Sequence, residues 1–470
     1  MTAVEDGVVI IGSEEFQDDP TGWKLAIYKI NWEGELVNAT WLGAPWTSNT
    51  HGWANSADRS LNGGLINGGG FSVWATDGDP LDNPIVFGHL VKIDIEGNVE
   101  WEKMLGDSIN FHTLRQVKAT SDGGYIAVGQ AGIVQYHPQI WVVKTDAQGV
   151  VEWQNYFGST GPNAYQDGIF ISETPSGHFV FGGLYDWQPF VPSGVIYRIN
   201  SSGQLVNTAN TQLGAVPNGG CEGGLVLENN DVIISTLINF VGEDGGEMRI
   251  TRVHRLDPTL QNIWVSEVGE NRRRTSINTF IQSGENSIVG AGTARTYDEY
   301  PLFYGHLTKM NLDDGSIEWQ RLLNVVDNGM NMMFDVDHAP DGGFVTAGWC
   351  LAIWDDEFTG QQDAWVAKTE EHGCIVPGCH VGVLENEATA AFKLYPNPAR
   401  DIVNLYLETD QSRPSGSITF HDLQGREVKN FPAPQGETTY IVDISTLPAG
   451  MYVVSYTDGV VLVTERLIVE

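Results

Sequence analysis

The sequence predicts an all-β protein: a seven-bladed β-propeller over residues 1–379, a connector over 380–390 and a small β-sandwich over 391–470. Three observations predict it. A phrase made of a basic residue, a turn and an outgoing strand recurs seven times. A second phrase, a tight turn feeding an apolar strand, precedes each copy. After Cys379 both stop, and period-two strands with different turns take over.

The first phrase reads KIDIEGNVEW from Lys92, KTDAQGVVEW from Lys144 and KMNLDDGSIEW from Lys309, with related copies from Lys29, Arg198, Arg255 and Lys368. Successive copies are 52 to 63 residues apart. The second reads EDGVVIIGS from Glu5, SDGGYIAVGQ from Ser121 and PDGGFVTAGW from Pro340, with cognates from Leu61, Pro175, Glu228 and Gly284. Asp-Gly or Asn-Gly before a β-branched or aromatic run turns the chain into a strand. Each unit therefore reads strand, tight turn, strand, longer loop, strand, tight turn, strand. Such a sheet shelters little apolar surface alone, so stacking of sheet on sheet must supply the stability. The first blade is expected to be truncated, because few residues precede its turn phrase.

Within the phrase, Asp146 suits an Asx-turn and Gly149 the left-handed turn position. Trp153, and Trp101, Trp264 and Trp319 in the same place, lie on the outgoing strand, where a large ring can pack on a neighbouring blade. The phrase is read as a structural joint rather than as catalytic machinery. Its basic residues could ring a channel and grip an anion. Each, however, stands two residues before an Asp, Asn or Glu, the spacing that shares one strand face, so a local ion pair is expected. The half-blade resembles the repeat of quinoprotein-type propellers, in which a turn glycine and a tryptophan dock adjacent blades. No quinone-binding residues are identifiable, and no cofactor is expected.

The chain carries 25 basic against 60 acidic residues, a formal charge of −35. That surface repels phosphate backbones, so nucleic acid is excluded as a partner. No run of about 20 apolar residues is available to span a membrane. Of the cysteines, Cys374 and Cys379 bracket a Pro-Gly turn and are expected to form a small disulfide, whereas Cys221 and Cys350 lack zinc-site spacing.

The C-terminal strands carry four ordered motifs: YPNPARD (Tyr395, Pro396, Asn397, Pro398 to Asp401), FHDLQGREV with its Gly425, LPAGMYVV with Pro448 and Gly450, and the terminal RLIVE. This module resembles the type A C-terminal sorting domain of the Bacteroidota type IX secretion system. The resemblance implies an Ig-like sandwich, engagement of the type IX machinery, and release or anchoring outside the outer membrane. Proteins of this class first cross the inner membrane on a signal peptide. The opening MTAVEDGVVIIG shows none, so a sequence truncated at its N-terminus is expected.

No HExxH, GxSxG, phosphate-binding glycine loop or EF-hand pattern occurs. His89 and His306 occupy equivalent repeat positions and are read as packing residues. The informative feature is the longer loop of each unit, which mixes rings with carboxylates: Trp23, Trp74, Tyr136, Tyr185, Trp187, Tyr297, Tyr300, Trp354 and Asp355. Aromatic rings stack on sugar C–H faces, and carboxylates accept hydroxyl hydrogen bonds or could hold Ca²⁺ through oxygen. If all blades share one phase, these loops share one face. The leading expectation is a secreted or surface-anchored binding protein for an extracellular glycan or protein. The alternatives are an extracellular glycan hydrolase or lyase working on the same face, and a structural surface component.

Overall fold

A computed structural model describes residues 1–470 except 16–22, 45–46, 53–54, 74–83, 133–137, 159–165, 189–190, 212–217, 242–246, 270–272, 297–301, 327–328, 353–361, 376–391, 408–415, 423–425, 435–438, 458–461 and 470. The chain divides into two compact units, Met1–Ile375 and Val376–Glu470. Among the described residues every regular element is a β-strand.

In the first unit each sheet follows the predicted strand–turn–strand order. The third sheet is representative: Phe111–Ala119, Tyr125–Gly132, Gln139–Thr145 and Val151–Phe157 pair antiparallel in sequence order. The first sheet opens with the short strand Thr2–Val4 and ends with Leu36–Leu42. In the second sheet the first strand is split into Thr47–His51 and Ala57–Arg59, both paired to Leu65–Val73. The fourth, fifth and sixth sheets run from Asp167, Asn218 and Arg273. The seventh comprises Gly329–His338, Phe344–Ala352 and Gln362–Thr369, and meets the sixth through a single parallel pair, Phe303 with Met330.

The apolar residues lie between sheets. Val9, Leu25 and Ile27 of the first sheet pack on Leu65, Val91 and Ile93 of the second. Comparable clusters join the second to the third around Trp141, and the third to the fourth around Phe181 and Tyr197. Others follow around Phe170 and Ile234, around Ile233 and Phe280, and around Leu307 and Trp365. The series then returns to its start: Val345 and Ala347 of the seventh sheet pack on Val8 and Ile10 of the first. Burial at each seam, rather than any single sheet, holds this unit together.

The recurring phrase acts at those seams. A Cβ built on Gly149 would meet the Trp101 ring at 2.9 Å, and one on Gly203 would meet Trp153 at 2.9 Å, so each outer-strand Trp lies on the next copy's turn glycine. Gly315 takes Trp264 and Gly373 takes Trp319 in the same way. Where Asn replaces Trp, its carboxamide does the docking: Asn38 donates to the Glu96 carbonyl at 2.8 Å and Asn207 to that of Thr259 at 2.7 Å.

The basic column forms ion pairs, but not with the expected acids. Asp94, Asp146 and Asp257, two residues on, instead accept backbone N–H bonds and close the turn. Lys144 reaches Asp122 (2.9 Å) and Glu152 (3.1 Å), Lys29 reaches Asp6 (3.0 Å) and Glu96 (2.6 Å), and Arg255 reaches Asp231 (2.7 Å). A side chain two residues along a strand shares its face, but here the chain has already entered the turn, so the geometry that favours a pair is lost. Lys29, Lys92 and Lys144 are buried. Lys92 and Lys144 reach back to the first tight turn of their own sheet, at the Gly63 carbonyl and Asp122, whereas Lys29 joins Asp6 of its own sheet to Glu96 in a turn of the second. Burial disfavours the charged amine of Lys29, yet the Glu96 and Asp6 carboxylates outweigh it and leave its pKa above the ordinary value. His89 and His306 are buried and bond Glu102 and Gln320 at 3.0 Å each, the packing role expected of them. Cys221 and Cys350 are buried free thiols; Cys374 is buried, and Cys379 lies outside the described residues.

In the second unit, Phe392–Tyr395, Ile402–Leu407 and Thr439–Asp443 form one sheet. Glu427–Ala433, Gly416–Asp422, Gly450–Thr457 and Leu462–Val469 form the other. Val403, Leu405 and Val442 of one sheet share a core with Ile418, Phe420, Val454 and Leu467 of the other. The first and last motifs are stitched together by Asn397. Its side chain donates to the Arg466 carbonyl (2.6 Å) and accepts from the Ile468 N–H (2.9 Å). Within the third motif, the Tyr452 hydroxyl donates to the Pro448 carbonyl at 2.7 Å. Gly425 lies outside the described residues. Asn397→Ala is expected to destabilise this unit by about 2 kcal/mol, because two backbone partners lose their bonds. Amide exchange at Ile468, slow in the parent and fast in the variant, checks it.

Candidate functional site

Each sheet's first strand is its inner strand, and these strands run from the longer loops towards the tight turns. In five consecutive sheets the inner strand is bulged at one equivalent level. Arg115, Ile169, Glu222, Asn278 and Phe334 are each skipped by the cross-strand register. A bulge adds an unpaired residue and bends the strand, which suits strands converging on an axis. In the second sheet the break in the inner strand does the same. Asn55 there adopts a left-handed backbone (φ 54) and donates across to Thr279 of the sixth sheet at 3.1 Å.

Below this level, residues near the ends of the inner strands of the second to seventh sheets, with Met1 and Thr2 of the first, line a cavity of about 490 Å³. It opens on the face of the tight turns, opposite the longer loops. Its floor and sides carry Ile171, Leu225, Phe280 and Val336, and its rim carries Asp58, Arg59, Lys118, Glu173, Gln282, Asp337 and His338. Many of the polar groups hold one another. Asp58 accepts the Ala119 N–H at 2.9 Å and lies 3.6 Å from the Lys118 amine, which also donates to Asn55 at 3.1 Å. Asp337 accepts the Ala3 N–H at 2.9 Å and pairs with Arg59 at 3.5 Å. Glu173 accepts both N–H and hydroxyl of Ser121, at 2.5 and 2.7 Å. His338 Nε2 donates to the Gln282 carbonyl at 2.9 Å.

Asp335 lies deepest. Burial pushes its carboxyl above the usual range, although the Met1 amine at 2.7 Å and the Lys118 charge pull it back. Donors and acceptors of fixed direction above an apolar floor suit a ligand with several hydroxyl or amide groups. Among the described residues no group of three His, Cys, Asp or Glu side chains is placed to hold a metal ion.

The predicted loop-face residues fare unevenly. Trp23 begins the third strand of the first sheet, opposite Glu15, and its ring is exposed. Tyr185 and Trp187 belong to the strand Phe179–Gln188, which pairs with Val191–Ile199. The sequence expected a loop there; a hairpin extends through it instead, because the aromatic and β-branched residues of that stretch favour a strand. Trp74, Tyr136, Tyr297, Tyr300, Trp354 and Asp355 lie outside the described residues. The central cavity was missed from sequence. Its signal was present in part: in five sheets the residue two before the turn phrase (Arg59, Ala119, Glu173, Gln282 and His338) lines it.

Residues 393–470 match the family described as "Secretion system C-terminal sorting domain". The chain is therefore exported by the type IX system and is secreted or held at the cell surface. Among the described residues no helix is long and apolar enough to cross a membrane. No curated protein sequence matches the chain. Several solved structures are similar at low identity. The BP39L lectin from Burkholderia pseudomallei has TM-score 0.46 and 9% identity over 79% of this chain and 96% of its own. The polysaccharide lyase Uly1 has TM-score 0.45 and 10% identity, covering 77% and 88%. An α-L-arabinanase of Penicillium chrysogenum complexed with arabinobiose has TM-score 0.41 and 10% identity, covering 68% and 97%.

Proposed function

We propose, from the premise that a chain ending in this sorting domain works outside the cell, that the protein is an extracellular binding protein for a glycan or a protein partner. In this reading the first unit is a seven-bladed propeller and the second an Ig-like sandwich serving export. Cys374 and Cys379 form a disulfide after export. The observation that carries the reading is the central cavity, to which every sheet contributes and whose rim presents donors (Arg59, Lys118) beside acceptors (Asp58, Glu173, Gln282). The exposed Trp23, and the loop aromatics expected beside it, offer a second recognition surface on the opposite face. Ca²⁺ held by loop carboxylates is part of the same proposal.

A glycan array probed with residues 1–379 of the chain, with and without Ca²⁺, tests it. Lys118→Ala is expected to weaken binding if the ligand sits in the cavity, and Trp187→Ala with Trp354→Ala if it sits on the loop face. Retention of every bound glycan by all these variants, or no binding to any glycan or surface-protein extract, overturns the reading. One observation favours a glycan-cleaving enzyme as the second reading: the raised carboxyl of Asp335 in the same cavity as Asp337. New reducing ends, or unsaturated products, that vanish in Asp335→Asn would establish it.

A further inference from the structure

The central cavity is a pit, open at one end. Arg115, Ile169, Glu222, Asn278 and Phe334, the bulged residues at the level above, take no part in its lining, so it ends there on the side of the longer loops. Asn55 forms that end. The second and sixth sheets face each other across the axis, and the Asn55 carboxamide spans the gap. It donates to the Thr279 hydroxyl at 3.1 Å and accepts from the Lys118 amine at 3.1 Å. A carboxamide can donate twice and accept twice, so it has capacity left for a ligand. Gly52 admits this crossing, because a Cβ there would stand 2.3 Å from the Arg115 carbonyl oxygen and 2.6 Å from that of Gly68. The mouth opens between the tight turns, which their own backbone bonds close, such as Gly123 N–H to the Thr120 carbonyl and Gly342 N–H to that of Ala339.

The lining has two arcs. The fourth, fifth and sixth sheets contribute Ile171, Leu225 and Phe280. Most charged groups stand on the other arc: Asp335 and Asp337 on the seventh sheet, Asp58 and Arg59 on the second, Lys118 on the third. With Glu173, four carboxylates face three cations, Arg59, Lys118 and the Met1 amine, in a chain of formal charge −35. That balance disfavours an anionic occupant. A sugar ring has the same two sides as the pit, a C–H face and an edge of hydroxyls.

We propose, on the reading that the cavity binds a glycan, that it recognises the non-reducing end of the chain, seating one neutral terminal sugar with Asn55 as the end wall. A blind pit admits an end but not a stretch that continues in both directions. Glycans outside a cell are joined to lipid, protein or polymer through the reducing end, which leaves the other end free to enter. The terminal ring lays its C–H face on the apolar arc and turns its hydroxyls to Asp58, Lys118 and Asn55.

The test applies the whole chain to a length series of neutral oligosaccharides coupled through their reducing ends. Each is presented with its terminal residue unmodified, O-methylated, or oxidised to the uronate. Saturable binding is expected for the unmodified form, and either change to the terminal residue alone should weaken it at least about tenfold. The same changes further along the chain should have little effect. Asn55→Gly keeps the left-handed backbone and removes the end wall, so the penalty for a methylated end should shrink. The penalty is a ratio of affinities, which a general loss of folded protein cannot alter. Binding that is lost in Lys118→Ala yet indifferent to methylation of the end would overturn the proposal and leave the cavity as a glycan site. A methylation penalty as large in Asn55→Gly as in the parent would also overturn it. No saturable binding of any form would remove the underlying reading as well.

Discussion

Trp264→Ala is expected to lower the stability of the first unit by about 3 kcal/mol, the cost of truncating a largely buried aromatic. The indole does two things at its seam. Its N–H donates to the Leu312 carbonyl at 2.7 Å, and its ring lies on Gly315, where an added Cβ would stand 2.6 Å from it. Gly315 itself has φ +73, a conformation that costs an L-residue about 1 kcal/mol or more. Gly315→Ala should therefore pay twice in the parent, for the backbone and for the collision. In a Trp264→Ala background it should pay only once, so the two substitutions are less than additive. Gly177 is the control: its φ is +75, yet nothing lies within 4 Å, and Gly177→Ala should cost only the backbone strain. Urea titrations followed by tryptophan fluorescence isolate this unit, because the last tryptophan of the chain is Trp365. Strict additivity of Trp264→Ala and Gly315→Ala would show that the ring and the turn do not form a joint.

That joint was legible because its chemistry is local in sequence. An Asx residue, a glycine four to six residues after a basic residue and a Trp nine or ten after it describe one hairpin, and a period-two pattern says which face Trp153 takes. What the phrase touches was not legible. Lys144 meets Asp122, 22 residues upstream, only because the strand Tyr125–Gly132 returns the chain beside it. Asp146 was expected both to form the Asx-turn, which it does, and to pair with that lysine, which it does not, because the backbone N–H groups of the turn had the stronger demand on it. An unpaired turn N–H cannot relocate, whereas a lysine amine on a flexible stem can.

The same reasoning separates the two candidate surfaces. Rings in long loops stand out in a sequence, so Trp23 and Trp187 were noticed. The central cavity is assembled from Asp58, Lys118, Glu173 and Asp337, which lie 55 or more residues apart and look like ordinary strand ends when read singly. Only the cyclic closing of the sheets, through Val8 and Ile10 against Val345, turns those ends towards one another. In the second unit, by contrast, the motifs that identified the module also explain it: Asn397 holds the terminal RLIVE strand by its backbone, a contact that any side chains at Arg466 and Ile468 would permit.

Arg115→Ala is expected to cost about 3–5 kcal/mol at pH 7.5, and to be the more pH-sensitive lesion. Arg115, the bulged residue of the third sheet, donates from Nε (3.0 Å) and Nη2 (2.8 Å) to the same oxygen of Asp167, at the head of the fourth sheet's inner strand. Burial already holds the Asp167 carboxyl above its ordinary value, with Arg115 as the opposing influence. Without the guanidinium, that carboxyl should rise further. A folded chain whose carboxyl titrates higher than the unfolded chain's binds more protons through the interval between the two values. Its stability therefore increases as pH falls through that interval, down to the unfolded value near 3.8. The gap between parent and Arg115→Ala should be widest near neutrality and should narrow steadily towards pH 5, whereas a purely steric defect would hold the gap constant. Asp167→Asn placed on the variant should recover part of the loss at pH 7.5 and flatten the pH dependence, because the amide has no charge to bury. Urea titrations across that range, read as the difference between the two proteins, decide it. A gap unchanged from pH 7.5 to 5 would mean that the ion pair does not govern this seam.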